Sequence, residues 1–265
     1  KSVMEFFGYL STFAIGITLG LIGGGGSILT VPLLVYLFHI DPILATSYSL
    51  FIVGITSSIG AITYFKSKLI DFQTALYFGL PSIIIVFLTR LYIIDLLPEI
   101  LFQIGTWKVS KSTGIMLFFS ILMLFSAYKM INASQQIKIK NSASGKLISL
   151  SFQGAVIGLL SGLVGAGGGF LIIPSLIMFN QMNIKKAVGT SLLIIAMNSL
   201  FGFIGKLDYD PIQWPFLLTI SATAIMGILI GERVSQKIES KKLKPALGWF
   251  VLVMGLVIIF QELAR

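Results

Sequence analysis

Two runs of glycine lie inside apolar segments of this chain. Of all its sequence features, these runs are best suited to a chemical role, which is the binding of a small anion. The first run spans 23–26 and reads GGGG, and the second spans 165–169 and reads GAGGG. Each glycine costs about 1 kcal/mol against alanine inside a helix, so such a run predicts a break. A helix that starts after the break, at Ser27 or Ile28 and at Phe170, presents free amide groups and its positive dipole end. Two such ends, brought together, bind an anion without a basic side chain.

Hydroxyl and amide side chains near the glycine runs can add hydrogen-bond donors for a small oxyanion. The predicted substrate-binding residues are Gly24, Gly25, Gly26, Ser27, Thr46, Ser47, Gly167, Gly168, Gly169, Thr190, Ser191 and Asn198. Close helix packing is the competing interpretation for the small residues spaced four apart, which are Gly16, Gly20, Gly158 and Gly162. Serine and threonine hydroxyls can also bond the carbonyls of their own helix. The alternatives stay open for each single residue.

The surrounding elements must be membrane helices. Of the 265 residues, 56% are hydrophobic and only 11% are charged, whereas soluble domains carry about 25% charged residues. Apolar segments lie at about 6–22, 27–39, 44–64, 73–90, 114–131, 147–164, 170–179, 187–205, 213–231 and 245–261. Roughly 20 residues suffice for one spanning helix. The sequence therefore predicts an all-α, polytopic integral membrane protein.

Charged residues are placed at the edges of these segments. The four segments nearest the glycine runs, 6–39, 44–64, 147–180 and 187–205, contain no Lys, Arg, Asp or Glu. We therefore expect no catalytic residue, and no buried carboxylate that carries protons. Arg90 and Arg233 end their segments and are expected to extend toward the membrane surface. An amphipathic stretch, 91–113, is expected at the interface. The absence of cysteine and the single histidine exclude thiolate chemistry and predict no metal site and no cofactor.

The chain contains an internal duplication. At a constant offset of 142 residues, six glycine and proline positions of the first half recur in the second. The predicted units are a first transmembrane repeat, 1–131, a cytoplasmic linker, 132–146, and a second transmembrane repeat, 147–265. If each Gly-interrupted segment pair is re-entrant or broken near mid-membrane, 13 of the 19 Lys and Arg residues fall on one side. The positive-inside rule then favours two inverted repeats, with both termini outside.

The glycine motifs carry a family resemblance. The sequences LGLIGGGGSILTVPLL at 19–34 and GLLSGLVGAGGGFLIIPSLI at 158–177 are each followed by a Thr-Ser pair in the next helix. In these features, and in its closing segment from Gly231 onward, nearly the whole chain resembles the TauE/SafE (TSUP) family of sulfite and organosulfonate exporters. The resemblance implies a multi-pass protein of the bacterial inner (plasma) membrane. It also implies substrates such as sulfite, thiosulfate or sulfoacetate. The first motif has Ser27 where the second has Gly169, so the two sites are not strictly symmetric.

Residues and resemblance together predict a transporter of a small anion, in the class of sulfur oxyanions and organosulfonates, and not an enzyme. The alternatives are an anion channel with the same site, a transporter of small carboxylates, or a membrane scaffold, which gives no reason to break two helices at matching places. The predicted partners are a small anionic solute and the lipid bilayer, with no nucleic acid. The oligomeric state, a homo-oligomer included, stays open, as do the direction and the coupling of transport.

Overall fold

Helices form nearly all of the fold. The structure, a computed structural model, describes residues 2–22, 25–104, 107–131, 143–178, 180, 182–205, 212–235 and 240–263. Among these residues, six helices are long and apolar enough to cross a membrane. The predicted class, an all-α polytopic membrane protein, is therefore confirmed. In chain order the elements are α1 (Ser2–Ile22), a 3₁₀-helix (Gly25–Leu29), α2 (Thr30–Tyr36), α3 (Pro42–Lys66), α4 (Phe72–Leu88), a π-helical turn (Thr89–Ile93), α5 (Ile94–Leu96), β1 (Ile100–Ile104), β2 (Trp107–Ser110), α6 (Lys111–Ile131), α7 (Ala143–Val164), α8 (Gly169–Met178), α9 (Ile184–Ile204), α10 (Trp214–Ser235) and α11 (Ser240–Leu263).

Two short helices, α2 and α8, follow the glycine runs and form two short arms. They contain seven and ten residues, and ten residues at 1.5 Å each cover only about half of a ~30 Å hydrocarbon core. The Ser175 hydroxyl of α8 donates to Gln153 Oε1 of α7 at 2.7 Å, so α8 folds back along α7. Likewise, residues of α1 and α2 together line a cavity of about 380 Å³.

The starts of both arms differ slightly from the predicted positions. α2 begins at Thr30, later than the predicted Ser27 or Ile28, because Gly25–Leu29 coil as a tighter 3₁₀-helix. α8 begins at Gly169 instead of Phe170. The 3₁₀-helix packs against α8. The largest apolar core includes α2 and Phe170 at the start of α8, whereas the rest of α8 packs into two smaller apolar clusters.

The long helices pack in pairs that join the two halves of the chain. α1 packs along α10, α4 along α7, α3 along α9 and α6 along α11. Gly154 of α7 faces Phe78 of α4, and Gly162 faces Thr89, so α4 and α7 run parallel. Gly189 of α9 faces Tyr64 of α3, and residues later in α9 face residues earlier in α3. The helices α3 and α9 therefore run antiparallel.

Small residues allow the parallel pairs to approach closely. A Cβ atom on Gly16 of α1 would overlap the carbonyl group of Ala224 in α10. A Cβ on Gly158 of α7 would overlap the Ser82 carbonyl of α4 in the same way. At these positions the packing interpretation of the four-residue spacing is confirmed, and it explains why the helices carry glycine there.

The stretch 91–113, which the sequence predicts as one interfacial segment, is divided between two kinds of structure, and only its first six residues, 91–96, contradict that placement, because they continue a helix of membrane-spanning length. The helix that begins at Phe72 continues through the π-helical turn to Leu96, and Pro98 follows its end. β1 and β2 then pair antiparallel as a hairpin, with a bulge between Ile100 and Phe102. The hairpin is rich in Ile, Phe, Trp and Val, and such β-branched and aromatic residues favour strands.

Exposed lysines gather at one end of the α3–α9 pair. Lys66 is the last residue of α3 and Lys68 follows it, while Lys185 and Lys186 lie in the first turn of α9. Gly189 faces Tyr64 and the Leu69 carbonyl, so these four charged residues lie at the same end of the molecule.

Candidate functional site

The second glycine run forms a backbone break that only glycine adopts easily. α7 ends at Val164, and Gly165, Gly167 and Gly168 then have φ angles of +74°, +66° and +73°. Residues with a Cβ rarely adopt this left-handed conformation. α8 begins directly afterwards at Gly169, where the first backbone N–H groups of a helix have no partner within that helix. The break therefore places the start of α8 deep in the protein, where the Leu171 and Ile172 N–H groups donate to the Gly168 carbonyl.

Unpaired serine hydroxyls lie against this break. A Cβ on Gly167 would overlap Ser199 Oγ of α9, and one on Gly168 would lie 3.1 Å from Ser161 Oγ of α7. Both serines are buried, and neither Oγ has a hydrogen-bond partner among the residues that the structure describes. Buried hydroxyl groups in folded proteins are almost always paired. Two unpaired hydroxyls beside the same loop indicate a place for a polar ligand.

Arg90 is the charged residue of the site, and it corrects the prediction that its side chain extends to the membrane surface. It lies in the π-helical turn and is completely buried, with 0% of its surface exposed. Its Nη1 donates to Thr46 Oγ1 at 2.9 Å, and the Thr46 hydroxyl in turn donates to the Ile43 carbonyl at 2.6 Å. A Cβ on Gly165 would overlap Arg90 Nη2, so the guanidinium lies directly against the glycine break.

One edge of the Arg90 guanidinium has nothing to donate to. Nε and Nη2 are both buried without a hydrogen-bond partner among the described residues, and no described carboxylate pairs with this side chain. A buried unpaired charge costs several kcal/mol, and charged residues inside a membrane mark functional sites. The Nε and Nη2 hydrogens point in the same direction, so this edge fits two oxygens of a single oxyanion. The arrangement can therefore bind one bidentate anion.

The π-helical turn explains how the sequence brings Arg90 to this place. Such turns are rare, and they occur mostly as single turns inserted in α-helices, often at functional sites. Here the turn runs from Thr89 to Ile93 within an otherwise continuous membrane helix. Thr89 faces Gly162 of α7, and Gly205, at the end of α9, would place a Cβ 3.1 Å from the Arg90 Cβ. The arginine is thus enclosed by α3, α7 and α9.

The other predicted site residues are distributed unevenly. Thr46, Gly167 and Gly168 lie in the region just described, and Asn198 donates to Ser82 Oγ at 2.7 Å with its Oδ1 unpaired among the described residues. Ser47 is buried, Ser27 is buried in the 3₁₀-helix with Gly25 and Gly26, and Gly24 lies outside the described residues.

The second Thr-Ser pair lies at the opposite end of the α3–α9 pair from Thr46. Thr190 Oγ1 accepts from the Asp71 backbone N–H at 2.9 Å, and the Ser191 hydroxyl donates to the Val188 carbonyl. Thr190 is level with Tyr64 of α3, which is about 27 Å along that helix from Thr46 at 1.5 Å per residue. In this conformation a single small anion does not contact both pairs.

Sequence reasoning missed Arg90, Ser161 and Ser199 as site residues. One signal for the arginine is present, since Arg90 interrupts an otherwise apolar run from Ile83 to Ile94. An arginine flanked by apolar residues on both sides is an intramembrane charge if the helix continues beyond it. No comparable signal marks the two serines.

Comparison with known proteins places this architecture among membrane transporters. The family described as "Sulfite exporter TauE/SafE" matches residues 9–258. "Probable membrane transporter protein YunE" of Bacillus subtilis (strain 168) is 25% identical over 94% of this chain and 98% of its own length. "Probable membrane transporter protein MJ0441" of Methanocaldococcus jannaschii is 28% identical over 93% of this chain and 92% of its own length. A "Probable membrane transporter protein" of Haemophilus influenzae is 27% identical over 91% and 92%. No solved structure matches significantly.

Proposed function

The chain belongs to the Sulfite exporter TauE/SafE family of membrane transporters, and on that premise we propose that it moves a small oxyanion across the membrane through the site at Arg90. The anion binds at the Nε–Nη2 edge of Arg90, beside the glycine break at 165–169. Thr46 holds the guanidinium in place through Nη1. The hydroxyls of Ser161 and Ser199 supply further donors.

The observation that carries this proposal is the complete burial of Arg90 without a carboxylate partner among the described residues. A bidentate edge favours anions with two oxygens on one atom, which include sulfite, thiosulfate, organosulfonates and small carboxylates. The family's description points to the sulfur oxyanions within that group. A spherical anion such as chloride can accept from both N–H groups but does not match their parallel directions.

We also propose that the two halves of the chain are inverted repeats, with boundaries at 1–131 and 147–265. The exchange of partners supports this arrangement, since α1 packs along α10 of the other half and its sequence equivalent α7 packs along α4. Two cavities at equivalent positions, of about 380 and 340 Å³, lie beside α2 and α8 respectively. The lysine-rich end of the α3–α9 pair then faces the cytoplasm of a cell whose plasma (inner) membrane holds the protein.

Solute flux into proteoliposomes tests the proposed function. The purified chain is reconstituted, and uptake of radiolabelled sulfite, thiosulfate, sulfoacetate, acetate and chloride is compared. We expect one of the oxyanions to be taken up with saturation, and chloride not to be. Arg90→Gln should raise its KM about tenfold or more, because two hydrogen bonds to a charged group are lost. Arg233→Gln is the matched control, because Arg233 lies 143 residues after Arg90, within one position of the repeat offset, and its side chain is exposed. Normal uptake by the Arg90 variant would place the site elsewhere.

A further inference from the structure

The charge state of the binding site restricts how the transporter can return without substrate. Arg90 is enclosed on all sides, with 0% exposure, and its Nε and Nη2 have no acceptor among the described residues. A transporter that alternates its access must pass through a closed conformation of this kind in each half of its cycle. With an oxyanion bound, the closed site holds a hydrogen-bonded ion pair. Without one, the site must bury an uncompensated positive charge, which is strongly unfavourable.

From this difference we infer that the transporter is an obligatory anion exchanger, in which the loaded protein reorients quickly and the empty protein is held back by the unpaired charge of Arg90. This inference rests on the proposed function. The inference adds a second substrate to the proposed function. This substrate is a counter-anion of the same bidentate class on the opposite side of the membrane. Uptake of one anion then requires release of another.

The nearby polar groups do not remove the charge. Thr46 Oγ1 is a neutral acceptor and occupies only Nη1. Ser161 and Ser199 are neutral as well, and the four segments around the site contain no acidic residue. Asp208 and Asp210, which follow Gly205 in sequence, lie outside the described residues. Asp41, near Thr46 at the start of α3, is engaged by the Ile43 and Leu44 N–H groups. The experiment therefore includes Asp208 and Asp210 as further carboxylates to be tested as a source of counter-charge.

The test is the dependence of uptake on internal anion in proteoliposomes, measured with the oxyanion that the flux panel identifies and with the membrane potential clamped. For the wild-type chain we expect initial uptake to be about tenfold faster, or more, into vesicles preloaded with the same unlabelled anion than into vesicles without it. A ratio near one, with saturable uptake, would overturn the inference and leave the proposed function intact. Failure to transport any oxyanion of the panel would overturn both.

Variants assign the exchange requirement to Arg90. The measured quantity is the ratio of initial uptake into preloaded vesicles to initial uptake into vesicles without internal anion. In Arg90→Gln, assayed at a raised anion concentration, this ratio should fall to about one, because the empty site is then neutral. Arg90→Lys keeps the charge but loses the bidentate edge, so it should keep the ratio with a higher KM. Arg233→Gln and the double variant Asp208→Asn/Asp210→Asn should keep the wild-type ratio. A high ratio in Arg90→Gln, or a ratio changed by the aspartate variants alone, would assign the effect to another group. If Arg90→Gln does not accumulate in the membrane, the wild-type and Arg90→Lys ratios decide.

Discussion

Gly165 lies where the backbone break contacts the buried charge of Arg90. Its substitution therefore tests whether the break contributes to transport. Alanine there would have to adopt a φ of +74°, at a cost of about 1–2 kcal/mol. Its Cβ would also overlap Thr46 and Arg90 Nη2. We expect Gly165→Ala to insert into the membrane but to transport about tenfold more slowly or worse, measured as uptake per amount of membrane protein.

Gly79→Ala is the matched control for that substitution. Gly79 lies within α4, where a Cβ would meet Ile194 Cγ1 at 3.5 Å, an ordinary van der Waals contact. Alanine is also a better helix former than glycine. Uptake by this variant should equal that of the wild type. Equal uptake by Gly165→Ala as well would show that the glycine break does not contact the substrate path.

The sequence predicts hydrogen-bond donors that depend on residue type and spacing, but it does not predict which side chains are buried. The glycine run at 165–169 and Thr46 are predicted from residue type and spacing. Arg90 is misassigned because hydropathy falls at residue 90, so the predicted segment ends there. The structure instead continues the helix through a π-helical turn. Hydropathy reports the average polarity of a window, and it does not distinguish an arginine at the membrane surface from one enclosed by three helices.

Among the helices, α11 and α2 are joined by a polar contact that the apolar segments do not reveal. Tyr36 Oη of α2 donates to Glu262 Oε1 of α11 at 3.1 Å, and only 3% of the Glu262 surface is exposed. The sequence leads us to expect no buried carboxylate near the glycine runs. The sequence does not predict that Glu262 is buried, because this residue lies just beyond the last apolar segment, 245–261.

Glu262 provides the sharpest test of whether a protein carboxylate couples transport to protons. Because it contacts α2 and not the Arg90 site, we expect Glu262→Gln to keep both anion exchange and any flux driven by a pH gradient, within about twofold. The measurement is anion uptake with and without an imposed pH gradient across the same vesicles. If the variant lost pH-driven flux and retained exchange, Glu262 would be a proton carrier and the expectation would be wrong.

The β-hairpin formed by β1 and β2 is an element whose type the sequence does not predict. The sequence indicates an amphipathic stretch at the interface, and its apolar residues are compatible with either a helix or a strand. Pro98 ends the preceding helix, and the pairing of Phe102 with Val109 then fixes a hairpin. Short apolar runs cannot be assigned by periodicity alone, because the contacts that select strand or helix are made elsewhere in the fold.

For the whole molecule, the proposed orientation predicts which loops face which side. The chain has no cysteine, so single cysteines report on one position each. Ser67→Cys lies in the exposed turn after α3, and His39→Cys lies in the exposed turn before it. An impermeant thiol reagent added to intact cells should label His39→Cys and not Ser67→Cys. Labelling of both, or of Ser67→Cys alone, would contradict a cytoplasmic lysine-rich end.

The sequence predicts the duplication of this molecule but not how its copies fit together. The constant offset of glycine and proline positions identifies equivalent residues, and the charge distribution orients them. Equivalence in sequence says nothing about contact. Gly16 allows α1 to pack closely along α10, and Gly158 allows α7 to pack closely along α4. In each pair the partner helix belongs to the other half of the chain.

That exchange of partners has a consequence for the origin of the protein. A chain half as long would leave the glycine faces of its own helices uncovered, so it could not have been a stable monomer. Under the inverted arrangement that we propose, the ancestor must have been a gene product that inserted in both orientations and assembled as an antiparallel homodimer. Gene fusion then fixed the stoichiometry at one copy of each orientation. It also freed the two copies to diverge, which fits the difference between the buried Arg90 and the exposed Arg233 that follows it by 143 residues.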